Sequence, residues 1–143
     1  MKRFRAGWLI PQQLLALTHF DPIVTLEDFA QIAQDTNTAL EQANGNFHLI
    51  IDNRIIDETN LATLDAMLQF MPQLNHPNLR WIVMIVPDAL TKAGATIVES
   101  MPTQHHAQIC LKHVDTLPAA TQFLQSVDES IRWDHIDKRF FTN

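Results

Sequence analysis

The sequence has little of two residue types that commonly build functional sites. It contains one cysteine, Cys110, so no intramolecular disulfide can form, and this agrees with a reducing compartment. It contains three glycines, too few to assemble a loop that cradles a phosphate or a dinucleotide. No serine lies in a Gly-x-Ser-x-Gly nucleophile elbow. The common nucleotide-binding and serine-hydrolase motifs are therefore excluded.

Basic residues are also scarce. Ten lysines and arginines stand against sixteen acidic residues, which gives a formal net charge of -6. The basic residues gather near the ends, at 2–5 and 138–139, so we expect no nucleic-acid binding. The short apolar stretch Trp8-Leu9-Ile10 is broken by Pro11, which predicts neither a signal peptide nor a membrane span. We therefore expect a cytoplasmic protein.

The length of 143 residues and the hydrophobic fraction of 46% suit one globular domain. We predict a single domain over 1–143, with its core at about residues 5–131 and a C-terminal tail at 132–143. The tail is aromatic and basic, and its pattern predicts no place in the fold.

Apolar runs and helical spacing alternate along the chain. Strands are predicted at 5–10, 14–20, 47–52, 79–86 and 109–114. Helical stripes are predicted at 26–43, 61–71, 90–101 and 120–131, with Thr25 and Thr116 as N-caps of the first and last. The order β-β-α-β-α-β-α-β-α predicts an α/β fold: a five-stranded, mostly parallel sheet with its first strand antiparallel, flanked by four helices.

This order, together with the segment Ile56-Asp57-Glu58-Thr59-Asn60-Leu61, resembles the SpoIIAA-like fold of STAS domains and of the small STAS/SEC14-like proteins of undefined role. The likeness covers roughly residues 5–130. Anti-sigma-factor antagonists of the STAS family have an Asp-Ser-Ser-Gly-Leu type segment there, and its second serine is phosphorylated to switch partner binding. Thr59 falls at that position, while Glu58 replaces the first serine and Asn60 the glycine. The resemblance implies a phosphoswitch at Thr59; the alternative is that Asp57 or Thr59 only caps the helix.

The resemblance further implies a non-enzymatic protein-interaction module of bacterial regulatory type. Such a module would dock an unknown protein partner, or a second copy as a homodimer, through the second helix and residues 57–63. The alternative class is a carrier of a lipid or another small apolar ligand. Its pocket would be lined by Leu64, Leu68, Met71 and Trp81.

Four aspartates follow predicted strands and mark a candidate ligand edge. They are Asp21, Asp52, Asp88 and Asp115. Carboxyl ends of parallel strands are where open α/β sheets bind ligands, so a hydrolase or transferase at this edge is a third alternative. Each aspartate can also cap a helix separately, and we predict no metal and no cofactor.

Histidine and cysteine are common zinc ligands, but the positions of these residues do not predict a zinc site. Cys110 and His113 lie on one predicted strand, where side-chain alternation directs them to opposite faces, and the loop pair His105-His106 matches no zinc spacing. We expect the Cys110 thiol to be buried and inert in its apolar strand.

Overall fold

The structure is a computed structural model, and it describes residues 3–56, 76–85 and 109–142. These residues form five strands, two α-helices and one 3₁₀ turn. In chain order they are β1 (Phe4–Ile10), β2 (Leu14–His19), α1 (Leu26–Gln42), β3 (Phe47–Asp52), β4 (Leu79–Ile85), β5 (Cys110–Val114), α2 (Leu117–Val127) and the 3₁₀ turn Trp133–His135. The helices predicted at 61–71 and 90–101 lie outside the described residues.

The five strands form one sheet in the order β1-β2-β3-β4-β5. β1 runs antiparallel to β2, and β2, β3, β4 and β5 are mutually parallel along the sheet. The prediction of an α/β fold with a mostly parallel, five-stranded sheet and an antiparallel first strand is therefore confirmed. The prediction of four flanking helices and of the SpoIIAA-like topology stays a prediction.

The sheet separates two apolar layers. Every residue of β2 and β3 is buried, which is the pattern of strands covered on both faces. Alternate residues such as Leu15 and Leu49 pack in the layer that contains Phe29 and Ile32 of α1. Their neighbours pack in the opposite layer, which contains Leu124 of α2 and the C-terminal residues. We call these two sides the α1 face and the α2 face.

A tight turn joins β1 to β2 and also holds the end of α1. The Gln13 N–H donates to the Ile10 carbonyl (3.1 Å), Pro11 follows Ile10, and Gln12 has φ 67°. A proline followed by a residue with positive φ is the pattern of a type II turn. The Gln12 side chain donates to the Gln42 carbonyl (2.8 Å) and accepts from the Asn44 N–H (3.1 Å), so the turn satisfies backbone groups where α1 ends.

Both predicted N-caps are present. The Thr25 hydroxyl accepts from the Asp28 N–H (3.1 Å), and the Asp28 carboxylate accepts from the Thr25 N–H (3.0 Å), which is a reciprocal capping box. The Thr116 hydroxyl accepts from the Ala119 N–H (3.2 Å), and Pro118 lies in the first turn of α2.

Two expectations about burial are wrong. Cys110 is exposed, because β5 lies at an edge of the described sheet, where its first residue has a neighbouring strand on one side only. Leu26 begins the apolar stripe predicted at 26–43 and was expected to be buried with it. It is instead 63% exposed, and the buried stripe of α1 begins at Phe29, because the first turn of the helix reaches beyond the apolar layer.

The C-terminal segment, which sequence patterns could not place, packs on the α2 face. Ile131 and Phe140 are buried there, and the Asp137 N–H donates to the Leu9 carbonyl (2.9 Å). The guanidinium of Arg5 donates to the carbonyls of Arg139, Phe140 and Thr142 at 2.7, 2.7 and 3.0 Å. The start and the end of the described chain are therefore joined across one face of the sheet.

Candidate functional site

The carboxyl ends of β2 to β5 share one edge of the sheet, because these strands are parallel. Asp21, Asp52 and Asp115 lie at or just after the ends of β2, β3 and β5. Asp88 lies outside the described residues. Among the residues that the structure describes, no group of three or more His, Cys, Asp or Glu side chains could hold a metal ion.

Asp52 is fully engaged with protein donors. It is 5% exposed, and its carboxylate accepts from the Thr18 hydroxyl (2.9 Å) and from the Arg54 backbone N–H (3.2 Å). The Arg54 side chain adds a two-pronged contact, with Nε and Nη2 each 2.8 Å from a carboxylate oxygen. These hydrogen bonds raise the pKa of Arg54 although burial opposes them. Asp52 thus fixes the end of β3 and leaves little capacity for a ligand.

The other two described aspartates differ from Asp52. Asp21 accepts from Arg3 (2.9 Å) and from the Ile23 N–H (2.9 Å), and it is half-buried. Asp115 is exposed at the end of β5. The three aspartates therefore share a position along the edge but not a common environment. Two of them, Asp21 and Asp52, already pair with arginines.

The predicted phosphoswitch residues, Asp57, Glu58, Thr59 and Asn60, lie outside the described residues, as do Leu64, Leu68 and Met71 of the predicted apolar pocket. Trp81 is described. Its ring packs edge-to-face on Phe123 of α2, with ring centroids 4.8 Å apart, so it belongs to the core of the α2 face.

Two buried polar residues at the carboxyl edge were missed by sequence reasoning. His19, at the end of β2, is 5% exposed, and this burial lowers its pKa to about 4, with the nearby carboxylates opposing the shift. Asn53, directly after β3, is 1% exposed, and its Nδ2 finds no hydrogen-bond partner in the part of the chain that the structure describes. Neither belongs to a motif, so no sequence signal marked them.

A second missed cluster joins His48, Asp128 and Ser130 on the α2 face. His48 Nδ1 accepts from the Trp81 backbone N–H (3.2 Å), so the proton lies on Nε2, which is 2.8 Å from the Asp128 carboxylate. Ser130 donates to Asp128 from its N–H (2.9 Å) and its hydroxyl (2.5 Å). Burial would raise the pKa of Asp128, but these hydrogen bonds from Ser130 and His48 outweigh it and lower the pKa.

This cluster is not a catalytic triad. In a triad the histidine accepts a proton from the serine, whereas here both the serine and the histidine donate to the carboxylate. The second histidine nitrogen is occupied by a backbone N–H. The cluster therefore holds the end of α2 against β3 and β4.

An open groove of about 370 Å³ lies between β1 and α1. Arg3 and residues 4–6 of β1 form one side, and Asp28, Gln31 and Asp35 of α1 form the other. Phe4 and Ala6 supply the apolar part, because their side chains pack in the layer of the α1 face. We call this feature the β1–α1 groove.

The outer edge of β1 is unpaired in the described sheet. The Phe20 N–H donates to the Arg3 carbonyl (2.7 Å), and the register continues with Arg5 opposite Thr18 and Gly7 opposite Ala16. In an antiparallel pair, residues that exchange hydrogen bonds alternate with residues whose backbone groups point away. The N–H and C=O groups of Phe4, Ala6 and Trp8 therefore face outward, beside the groove.

Arg3, directly before β1, and Arg5, within it, do not cover this edge. Arg5 is drawn to the α2 face by the tail carbonyls and by the Phe140 ring, 5.9 Å from its guanidinium carbon. Arg3 is held by Asp21 (2.9 Å) and by Asp28 (3.1 Å). Charged side chains are a usual means of guarding an edge strand, and here both are engaged elsewhere.

The carboxylates of the groove differ in how they are compensated. Burial would raise the pKa of Asp28, but the hydrogen bonds from Thr25 and Arg3 outweigh it and lower the pKa. Asp35 accepts a hydrogen bond from Gln31 (2.9 Å), four residues earlier on α1, and it has no cationic partner among the described residues. The groove therefore carries an uncompensated negative charge at Asp35.

Comparison with known proteins adds no relative: the sequence matches no family profile, no curated protein and no solved structure. Within the described ranges, no helix has the length and apolar character needed to cross a membrane.

Proposed function

We propose that the chain is a non-enzymatic protein-interaction module that binds a partner by adding an extended segment to β1. The observation that carries the proposal is the outward-facing backbone of Phe4, Ala6 and Trp8 beside the β1–α1 groove. Strand addition obtains affinity from main-chain hydrogen bonds and specificity from pockets for alternate side chains. Here the edge of β1 supplies the main-chain hydrogen bonds, and the β1–α1 groove supplies the pocket.

The position of α1 beside β1 supports strand addition. α1 lies alongside β1, since Arg3 contacts Asp28 at one end and the Trp8 indole N–H donates to Gln42 (3.2 Å) at the other. An added strand would therefore lie on the sheet with every second side chain directed toward α1. The interaction-module function implied by the STAS resemblance agrees with this proposal, but the surface differs from the predicted one at 57–63.

The test asks whether peptide binding depends on the outward-facing amide N–H of Ala6. Peptides about as long as β1 are selected from a random display library on the wild-type chain, and their affinities are measured for Ala6→Pro and Ala6→Ser. Proline removes the outward N–H of Ala6 and is tolerated on edge strands, whereas serine keeps the amide. We expect Ala6→Pro to abolish binding and Ala6→Ser to retain it.

Amide hydrogen exchange gives a second measurement that needs no variant. The peptide should slow exchange at Phe4, Ala6 and Trp8, whose amides face outward, with less change at Arg5 and Gly7, whose amides face β2. Selected peptides that bind Ala6→Pro as well as wild type, or that protect amides elsewhere, would show that this edge is not the docking surface.

A further inference from the structure

We propose that the segment added to β1 carries a lysine or arginine that pairs with Asp35. This inference rests on the proposed function and names the chemistry of the partner. Asp35 is half-buried in the wall of the groove, and its only described partner is the neutral amide of Gln31. A carboxylate in the wall of a groove that accepts only from a neutral amide can form a stronger, charge-assisted hydrogen bond with a cation on the bound ligand.

The other charges of the groove cannot supply that cation. Arg3 already contacts two carboxylates, those of Asp21 and Asp28. Arg5 is bound to three carbonyls of the C-terminal segment on the opposite face. Among the described residues, Asp35 therefore has no cation to neutralise it, and the formal net charge of -6 adds to the preference for a basic ligand.

The position of the basic residue follows from the geometry of a helix beside a strand. Asp35 is seven residues beyond Asp28 on α1, which places both on the same helix face, about 10 Å apart along the axis. A strand covers that distance in about three residues. Since Arg3 lies at the level of Asp28, Asp35 lies near the level of Ala6. The basic side chain is therefore expected opposite Ala6, directed toward α1.

A second copy of the chain fits this surface less well. Pairing two β1 strands about a twofold axis would bring two α1 helices, each with Asp35 uncompensated, to the same side of the joined sheet. Like charges brought together in this way oppose association. The occupant that the charge favours is thus an extended basic peptide rather than the chain itself.

The probes are two labelled six-residue peptides, one alternating lysine with threonine and the other alternating glutamate with threonine. Each is titrated against the wild type, Asp35→Asn and Asp35→Lys. The matched control is Asp134→Lys, because Asp134 is a highly exposed carboxylate in the 3₁₀ turn and its replacement changes the net charge equally. Melting curves of all variants confirm that each is folded.

We expect the lysine peptide to bind the wild type and Asp134→Lys with similar affinity. Asp35→Asn should weaken this binding about tenfold, the size of a partly exposed charge-assisted contact, and Asp35→Lys should reverse the preference toward the glutamate peptide. Equal binding of both peptides, or no binding of either, overturns the inference.

The Ala6→Pro variant separates the two proposals. If both peptides bind equally and both are lost in Ala6→Pro, strand addition stands and the basic preference fails. If Asp35 governs binding while Ala6→Pro has no effect, the proposed strand addition fails. A dimer that Ala6→Pro dissociates, seen by sedimentation in the absence of peptide binding, would show that a second copy occupies the edge and would overturn the inference.

Discussion

The burial of one histidine predicts how this protein responds to acid. His19 is closed off at the end of β2 beside Phe29, with ring centroids 6.5 Å apart, and burial lowers its pKa to about 4. Its charged form is therefore disfavoured in the folded state. The unfolded chain, in which a histidine has an ordinary pKa near 6.5, binds the proton more readily.

We predict that stability falls as the pH is lowered from about 6.5 to about 4 because of His19. In this window the unfolded state holds more protons than the folded state, so protonation favours unfolding; above it the contribution is fully present. The loss between pH 7 and pH 4.5 should be about 2 kcal/mol. It is measured by urea unfolding of the wild type and His19→Gln at both pH values. The variant should lose most of this dependence.

The control is His135→Gln, since the His135 side chain is 56% exposed. It should keep the wild-type dependence on pH. A wild-type slope in His19→Gln would mean that other groups, such as the carboxylates with lowered pKa, cause the acid sensitivity.

Sequence patterns could not identify this histidine or the His48 cluster. Burial of a histidine depends on what the fold brings over it, and here Phe29, Asp128 and Trp81 come from other elements. The edge aspartates were predicted from their positions after apolar runs, whereas the engagement of Asp52 by Thr18 depends on the register between β2 and β3. The β1–α1 groove depends in the same way on the placement of a helix beside an edge strand.

The described helices and strands, by contrast, were largely predictable from local sequence patterns. The bounds of β3 were predicted from one apolar run, and the caps of α1 and α2 from single threonines, because these signals are local. The wrong predictions of burial concern residues at the ends of elements, outside the core. Leu26 fits the helical pattern but is exposed in the first turn of α1. Cys110 is the first residue of β5, at the edge of the described sheet, and it is also exposed.

Thr25→Ala should destabilise the protein by about 1 kcal/mol, because it removes the side-chain half of the capping box on α1. The control is Thr38→Ala, on the same helix. Thr38 is exposed and donates only to the Gln34 carbonyl one turn earlier, so its loss should change stability by less than about 0.5 kcal/mol. Chemical denaturation gives both values. Equal effects of the two substitutions would assign no special weight to the cap.

At the scale of the whole molecule, the C-terminal segment is part of the core. Phe140 is 3% exposed and packs in the α2 face, far in sequence from the strands that it covers. Periodicity reports neighbours three or four residues away, so contacts between Arg5 and residues 139–142 leave no trace in it. The tail was separated from the predicted core for this reason.

We predict that Phe140→Ala lowers the free energy of unfolding by about 3 to 5 kcal/mol, the range for removing a buried aromatic ring. Phe141→Ala is the matched control, because Phe141 is adjacent and only half-buried, and its effect should be clearly smaller. Thermal and urea unfolding measure both. A Phe140→Ala loss of less than about 1 kcal/mol would show that the segment lies on the sheet without supporting it.

The hydrogen bonds from Arg5 to the carbonyls of residues 139–142 also bear on synthesis. During translation β1 leaves the ribosome long before these residues are made. Until residue 142 has emerged from the exit tunnel, the guanidinium must remain in water and the apolar side chains under Phe140 must stay uncovered. The nascent chain therefore cannot complete the core of the α2 face before residues 139–142 have been synthesised.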